Sequence, residues 1–468
     1  MHSLYSRFLT ALFPWSLGHV FSVINFLLAL LFVSFILRSK RPPGNTLAWL
    51  LFVVVIPYIG IPFYVLLSGR KSQTRFQKKP ALYEARPGKS APGNDALEKL
   101  LFGYGLPPSR TGQRARLITN GEEAFAQISS LISSAQHHIH LTTFIFARDP
   151  VGISLLGLLE KKAEEGVSVR ILLDSFGSVM VRHPSFERLR KKGGKVCFFN
   201  PVFHLPGRGR TNLRNHRKFL LADSQRALLG GMNLAKEYMG PRPDPDRWID
   251  LCLSVEGSSV LDMERVFAED WNFASGEKHS LPKTDQIGKK GADRVQVIAS
   301  GPDVRSDTLY DSMISLMYQA QKRIWIATPY FIPDESLTKA LELAARRGVE
   351  VRVLVPRNSN HFLADLARGT YIRQVLKAGC RVDLTLKMLH AKAFLVDGDH
   401  ALLGSANFDM RSLLLNYEIG ILIRPGAALS SLEKWFKTRF KKSLPSDLQV
   451  NYFRDLAESV GRVLGPLI

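Results

Sequence analysis

The chain has 468 residues, 46% hydrophobic and 22% charged, which allows two or three domains with a sizeable core and excludes a disordered or fibrous chain. Its 63 basic residues against 41 acidic leave a net charge of +22, a field that favours polyanions, either nucleic acid or the anionic face of a bilayer. Cys197, Cys252 and Cys380 are widely spaced and none forms a CxxC, which argues against a disulfide framework or a cysteine zinc site and fits buried thiols in a reducing compartment.

Two uncharged runs come first, "VFSVINFLLALLFVSFIL" over 20–37 and "LAWLLFVVVIPYIGIPFYVLL" over 47–67. Each is long enough to cross a hydrocarbon core of about 30 Å, and the short connection "RSKRPPGNT" makes them a hairpin. Pro57 and Pro62 are tolerated in a spanning helix, and Trp15, Trp49 and Tyr64 lie near segment ends, where amphipathic rings prefer to sit. A cleaved signal peptide fits poorly, because basic residues are sparse before the first run and a second run follows at once. The loop carries Arg38, Lys40 and Arg41, whereas the flanks carry Arg7, Arg70, Lys71, Arg75, Lys78 and Lys79. That excess places both flanks, and the large C-terminal part, in the cytoplasm. The expectation is a transmembrane hairpin over 1–69, followed by a linker rich in Pro, Gly, Lys and Arg over 70–110.

Beyond the linker the chain repeats itself. "AQHHIHLTTFIFARD" (Ala135 to Asp149) aligns with "AQKRIWIATPYFIPD" (Ala320 to Asp334), and "EEGVSVRILL" (Glu164 to Leu173) with "RRGVEVRVLV" (Arg346 to Val355). Strand-like alternation, then a helical stretch, then another strand, with helical spacing also at Phe125, Ile128, Leu131 and Ile132, predicts α/β units with a largely parallel sheet. The fold class is α/β: a tandem pair of domains over 111–280 and 296–468 with pseudo-twofold symmetry, joined by a linker over 281–295. His137, His138 and His140 look metal-like, but no carboxylate or Cys sits at ligand spacing nearby, so no metal is expected.

One constellation occurs in both halves. His216, Lys218, Asp223, Gly230, Gly231 and Asn233 recur as His390, Lys392, Asp397, Gly404, Ser405 and Asn407 at identical spacing. Six fixed positions match by chance about once in 10⁷ to 10⁸ windows, so the duplication is not coincidence. On a strand, residues i and i+2 share a face, which sets each His beside its Lys. The strand should turn and return as a hairpin, with small residues at its end letting a ligand approach the backbone and an Asn donor just beyond. Two such faces together offer imidazoles, ammonium groups and carboxamides to one central anion, and a phosphate diester fits. His attacks or donates a proton, while Lys and Asn steady the non-bridging oxygens. Asp250 and Glu418, acids inside apolar strands, are candidates to orient the two imidazoles. Asp223 and Asp397 also fall where a turn wants an Asp, so a structural role stands beside a catalytic one.

These residues resemble the phospholipase D superfamily, whose signature is a duplicated HKD motif. The N-terminal hairpin together with "TPYFIPD", "NLRNHRK" and "GSANFDMRSLLLNYE" is similar to the bacterial cardiolipin synthases, over nearly the whole chain from about Leu27 to Ile468. The resemblance implies a catalytic set of His216, Lys218, Asp223, His390, Lys392 and Asp397, with His216 as nucleophile. It implies transfer between two phosphatidylglycerol molecules, with no cofactor and no nucleic-acid partner, at the bacterial inner membrane. A phospholipase D acting on other phospholipids and a superfamily nuclease are the alternatives. One departure is Ser224, where relatives often have Gly. The terminal stretch "NYFRDLAESVGRVLGPLI" places Phe453, Leu456, Val460, Val463, Leu464 and Leu467 on one helical face, expected to pack on the α/β body rather than touch membrane.

Overall fold

The computed structural model describes residues 23–24, 26–28, 30–38, 43–67, 79–86, 95–178, 183–200, 213–279, 281, 287–447 and 450–464. The start of the first expected span, most of the basic flank residues, Lys40 and Arg41, parts of both linkers and Leu467 lie outside the described residues.

Residues 30–38 are helical, and the second apolar run forms two helices, α1 (Pro43–Val55) and α2 (Pro57–Leu67). The break falls at Pro57, which has no N–H to donate and whose ring excludes the carbonyl of the preceding turn. Tyr64 meets Phe32 edge-on at 6.2 Å and Trp49 at 5.2 Å between ring centroids, and it is buried with Ile36 and Val53. Among the described residues no helix is long and apolar enough to cross a membrane.

The C-terminal body begins inside the stretch read as a linker. Asp95 caps α3 (Ala96–Gly103), whose Leu97 and Leu101 are fully buried, so these residues belong to the core. The first half then contributes β1 (Arg110–Ile118), α4 (Gly121–Ser133), β2 (His138–Thr143), α5 (Pro150–Glu164), β3 (Ser168–Asp174), α6 (Glu187–Lys191) and β4 (Lys195–Phe199). It closes with β5 (Phe219–Ala222), β6 (Arg226–Gly230), β7 (Cys252–Glu256) and α7 (Val260–Ser275). The second half runs β8 (Asp293–Ser300), α8 (Thr308–Gln319), β9 (Arg323–Ala327), β10 (Phe331–Ile332), α9 (Glu335–Arg346), β11 (Glu350–Pro356), α10 (Phe362–Lys377), β12 (Arg381–Thr385) and β13 (Ala393–Val396). It ends with β14 (His400–Gly404), β15 (Phe408–Asp409), α11 (Met410–Leu414), β16 (Glu418–Ile423), α12 (Ala427–Lys441), β17 (Leu444–Pro445) and α13 (Tyr452–Leu464).

The main sheet has 15 strands, ordered β17-β12-β11-β9-β13-β14-β16-β8-β1-β7-β6-β5-β2-β3-β4. Apart from β17, the order reads the same inward from either end and meets at β8 and β1, which is the pseudo-twofold relation that the repeat predicts. The sheet is mixed rather than largely parallel: β2, β3 and β4 run parallel, as do β9, β11 and β12, and the strands between them pair antiparallel. The cause is connection length. Parallel neighbours here are joined through helices, whereas β5–β6 and β13–β14 are joined by tight turns that permit only antiparallel pairing. The Asp shared by the two repeats serves one purpose in each, since Asp149 and Asp334 cap α5 and α9 through the N–H groups of Gly152 and Leu337.

The end of the chain departs from expectation. The face of α13 with Phe453, Leu456 and Val460 is exposed, and its opposite face packs on α10.

Candidate active site

Each motif His enters the site one step before the hairpin strands, and its backbone is held by the other repeat. His216 N–H donates to the Tyr417 carbonyl at 2.9 Å, and His390 N–H donates to the Ile249 carbonyl at 2.7 Å. Tyr417 and Ile249 directly precede Glu418 and Asp250. The carboxylates are thereby exchanged between repeats: His216 Nδ1 lies 2.9 Å from Glu418, and His390 Nδ1 lies 2.8 Å from Asp250. An Nδ1–H donated to a carboxylate leaves the lone pair on Nε2, the tautomer needed to attack or to accept a proton. Both orienting acids are fully buried.

The lysines lie beside their histidines. Lys218 Nζ donates to the His216 carbonyl at 2.9 Å, and Lys392 Nζ stands 2.7 Å from His390 Nδ1 and 3.1 Å from Nε2. Burial pushes the Lys218 ammonium down to about 7, and the Lys392 charge adds to the fall against the pull of Glu418 and Asp250. Lys392 is pushed down to about 8, again by burial first. His390 is held at about 3 by burial and then by Lys392, and burial also lowers His216, so both imidazoles are neutral at pH 7. Glu418 is raised by burial, but His216 and Lys218 outweigh this and keep it ionised. Rings wall the site: Phe144 stands edge-on to His216 at 5.0 Å, and Tyr238 and Trp248 lie 5.0 and 5.6 Å from His390.

The remaining motif residues lie elsewhere. Asp223 and Asp397 do not join the histidines; a four-residue strand separates each from its Lys, roughly 16 Å along an extended chain. Asp223 accepts the N–H groups of Gln136, His137 and His138 at 2.8–3.0 Å, and Asp397 those of Gln321, Lys322 and Arg323 at 2.8 Å. Each sits in the hairpin turn with φ near +55° and ties that turn to the start of β2 or β9. Asn233 is also engaged in structure, accepting from Ile145 N–H at 3.2 Å and donating to Tyr238 Oη at 2.9 Å, while Asn407 hydrogen-bonds Asp409. The small residues are filled by protein rather than left open to a ligand. A Cβ on Gly231 would strike the Asp250 carboxylate, and one on Gly404 would strike the Ile419 carbonyl of β16. Ser405 donates to Glu418.

The histidine cluster meets a carboxylate after all. His138 Nε2 lies 3.0 Å and His140 Nδ1 2.7 Å from Glu264 of α7, three residues whose ligand atoms are mutually within 4.8 Å. Ser224, at φ +54°, adds its hydroxyl at 3.1 Å to both His138 and Glu264. The second repeat makes the same strand-to-helix tie with Arg323 and Glu433 at 2.9 Å. The carboxylate arrives from 124 residues downstream, beyond the reach of any local spacing rule.

Sequence reasoning missed Arg217, between the motif His and Lys. Its side chain is fully buried, bonding Asp270 at 2.7 Å and Asp303 at 3.1 Å, and Lys79 shares both carboxylates.

The family described as "Cardiolipin synthase, PLD-like domain" matches residues 128–271 and 313–440, and "Phospholipase_D-nuclease N-terminal" matches 27–69. Cardiolipin synthases of Geobacillus thermodenitrificans and Alkalihalophilus pseudofirmus are each 34% identical, over 96% and 97% of this chain and 95% of theirs. The chain belongs to the cardiolipin synthase family. The two matched segments fall one in each sheet half described above. The crystal structure of a phosphatidylserine synthase from Haemophilus influenzae shares the fold, with a TM-score of 0.58 at 16% identity over 75% of this chain and 93% of that one.

Proposed function

We propose that this protein is a cardiolipin synthase, a phosphatidyltransferase that joins two phosphatidylglycerol molecules and releases glycerol. The observation that carries the reading is the exchanged pair of His–carboxylate contacts with two buried lysines beside them. Charge bookkeeping favours a monoanionic diester there. Two ammonium groups balance Glu418 and Asp250, so a bound phosphodiester adds one negative charge that draws a proton onto an imidazole. In the first step His216 Nε2 forms the bond to phosphorus, the P–O bond to glycerol breaks, and protonated His390 gives the leaving oxygen its proton. In the second, neutral His390 takes the proton from the hydroxyl of another phosphatidylglycerol, whose oxygen bonds phosphorus and expels His216. Lys218 and Lys392 hold the non-bridging oxygens as charge develops.

A lipid substrate gives the N-terminal segment its purpose. Leu31, Leu47 and Val55 turn outward from the packed pair, which suits a lipid environment better than water. The reading is a hairpin anchor in the bacterial inner membrane with the catalytic body on the cytoplasmic side. The test is lipid analysis of membranes carrying the wild type or His390→Ala. Wild type should accumulate cardiolipin and glycerol from phosphatidylglycerol, and the variant should not. Equal cardiolipin from both would remove the proposal.

A further inference from the structure

The polarity of α13 is reversed relative to an ordinary packed helix. It meets α10 through polar side chains: Arg373 of α10 pairs with the buried Glu458 and, at 2.5 Å, with the partly exposed Asp455, and Arg454 bonds Glu458 at 2.8 Å. Gly461 lies where a Cβ would come within 3.0 Å of the Ala367 amide, so the two helices approach closely along that face. The apolar stripe faces out, with Phe453 80%, Leu456 52% and Val460 55% exposed. Two more exposed side chains, Phe362 at 77% and Leu363 at 47%, begin α10, the helix against which α13 rests.

This surface is connected to the second motif. Ala364 and Ala367 of α10 are buried with Ile332 of β10, which pairs with β15 directly after Asn407 of the second motif. The Tyr330 ring stands 5.5 Å from that of His361, which directly precedes Phe362, and its hydroxyl donates to Asn360 at 2.7 Å. The start of α10 is therefore tied to the end of the second motif.

We infer that α13 and the start of α10 form a bilayer-docking surface, with Phe453, Leu456, Val460, Phe362 and Leu363 entering the lipid interface beside the active site. The proposal rests on the lipid-substrate reading and deepens it. Two observations favour a bilayer over a second copy of the chain. A stable protein interface uses roughly 20–30 residues on each side, far more than this stripe supplies. A body that contributes to a net charge of +22 repels its like and is drawn to anionic lipid.

The test uses the full chain in vesicles of phosphatidylglycerol and phosphatidylcholine, with an environment-sensitive fluorophore on Leu456→Cys. Acyl-chain-brominated lipid should quench this label strongly and the same label on Arg462→Cys weakly. Quenching absent at position 456, or emission that follows protein density instead of brominated lipid, overturns the proposal. A second arm is Leu456→Asp with Val460→Asp. Turnover of vesicle substrate should fall about tenfold, while turnover of detergent-dispersed substrate stays at the wild-type rate. Equal rates on vesicles would also overturn it. Quenching is read without reference to the product formed, so its outcome stands apart from whether cardiolipin is that product.

Discussion

Lys218 and Lys392 show how much stability this site gives up. Each ammonium is buried, and Lys218 is held at about 7 against an ordinary value of 10.5. The unfolded chain keeps its proton up to 10.5, so between about 7 and 10.5 unfolding takes up a proton and the native state gains stability as pH rises. Below 7 both states are protonated and the whole penalty is present. Lys218→Met removes that titration and should therefore flatten the rise in melting temperature from pH 7 to 9, while abolishing transfer. A variant whose melting temperature rises from pH 7 to 9 as steeply as that of wild type would contradict this. The exchanged carboxylates make a second prediction at this scale. Glu418→Gln keeps the shape but loses the charge that fixes His216 as the Nε2 base, so turnover should fall about 10²–10⁴-fold with the melting temperature little changed. The His and Lys positions are legible in the sequence because duplicated spacing survives in one dimension. The exchange of Glu418 and Asp250 between repeats is not, because it depends on how the two halves meet at β1 and β8.

At the scale of elements, the hairpins β5–β6 and β13–β14 explain the third letter of the motif. Asp397 turns the chain at φ +56° and satisfies three amide donors at the start of β9, so its service is to register rather than to phosphorus. Asp397→Ala leaves those donors without their acceptor and should lower stability by about 2 kcal/mol, while turnover per folded molecule stays close to wild type. Loss of turnover in fully folded protein would return Asp397 to the catalytic set. The strand and helix periods made the α/β units readable, and the turn chemistry of Asp was readable too. What could not be read was the antiparallel pairing of strands distant in sequence, β2 with β5 and β9 with β13, and the outward-facing stripe of α13. A helical wheel shows that α13 has two faces, but only the pairing of Arg373 with Asp455 and Glu458 says which one the body takes.

In the C-terminal body, Lys79, Arg217, Asp270 and Asp303 form a buried, neutral four-charge network. It joins the segment before α3, the first motif, α7 and the segment after β8. Asn215 adds a bond to Asp270 at 3.1 Å, so the network lies directly behind His216. Burial raises the Asp270 carboxyl, but Arg217 and Lys79 outweigh it and hold the group below its ordinary value. Stability from that pairing is present above the unfolded carboxyl range and is lost as pH falls through the lowered native value. Arg217→Met leaves two buried carboxylates facing one ammonium, which should destabilise the protein by about 3–5 kcal/mol at pH 7. The excess charge then favours a proton on one carboxyl in the native state, so the variant should recover stability as pH falls from 7 to 5. Wild type should show no such recovery over the same range. Urea titrations at the two pH values read the difference directly, and parallel slopes for both proteins would mean that Arg217 does not neutralise Asp270 and Asp303.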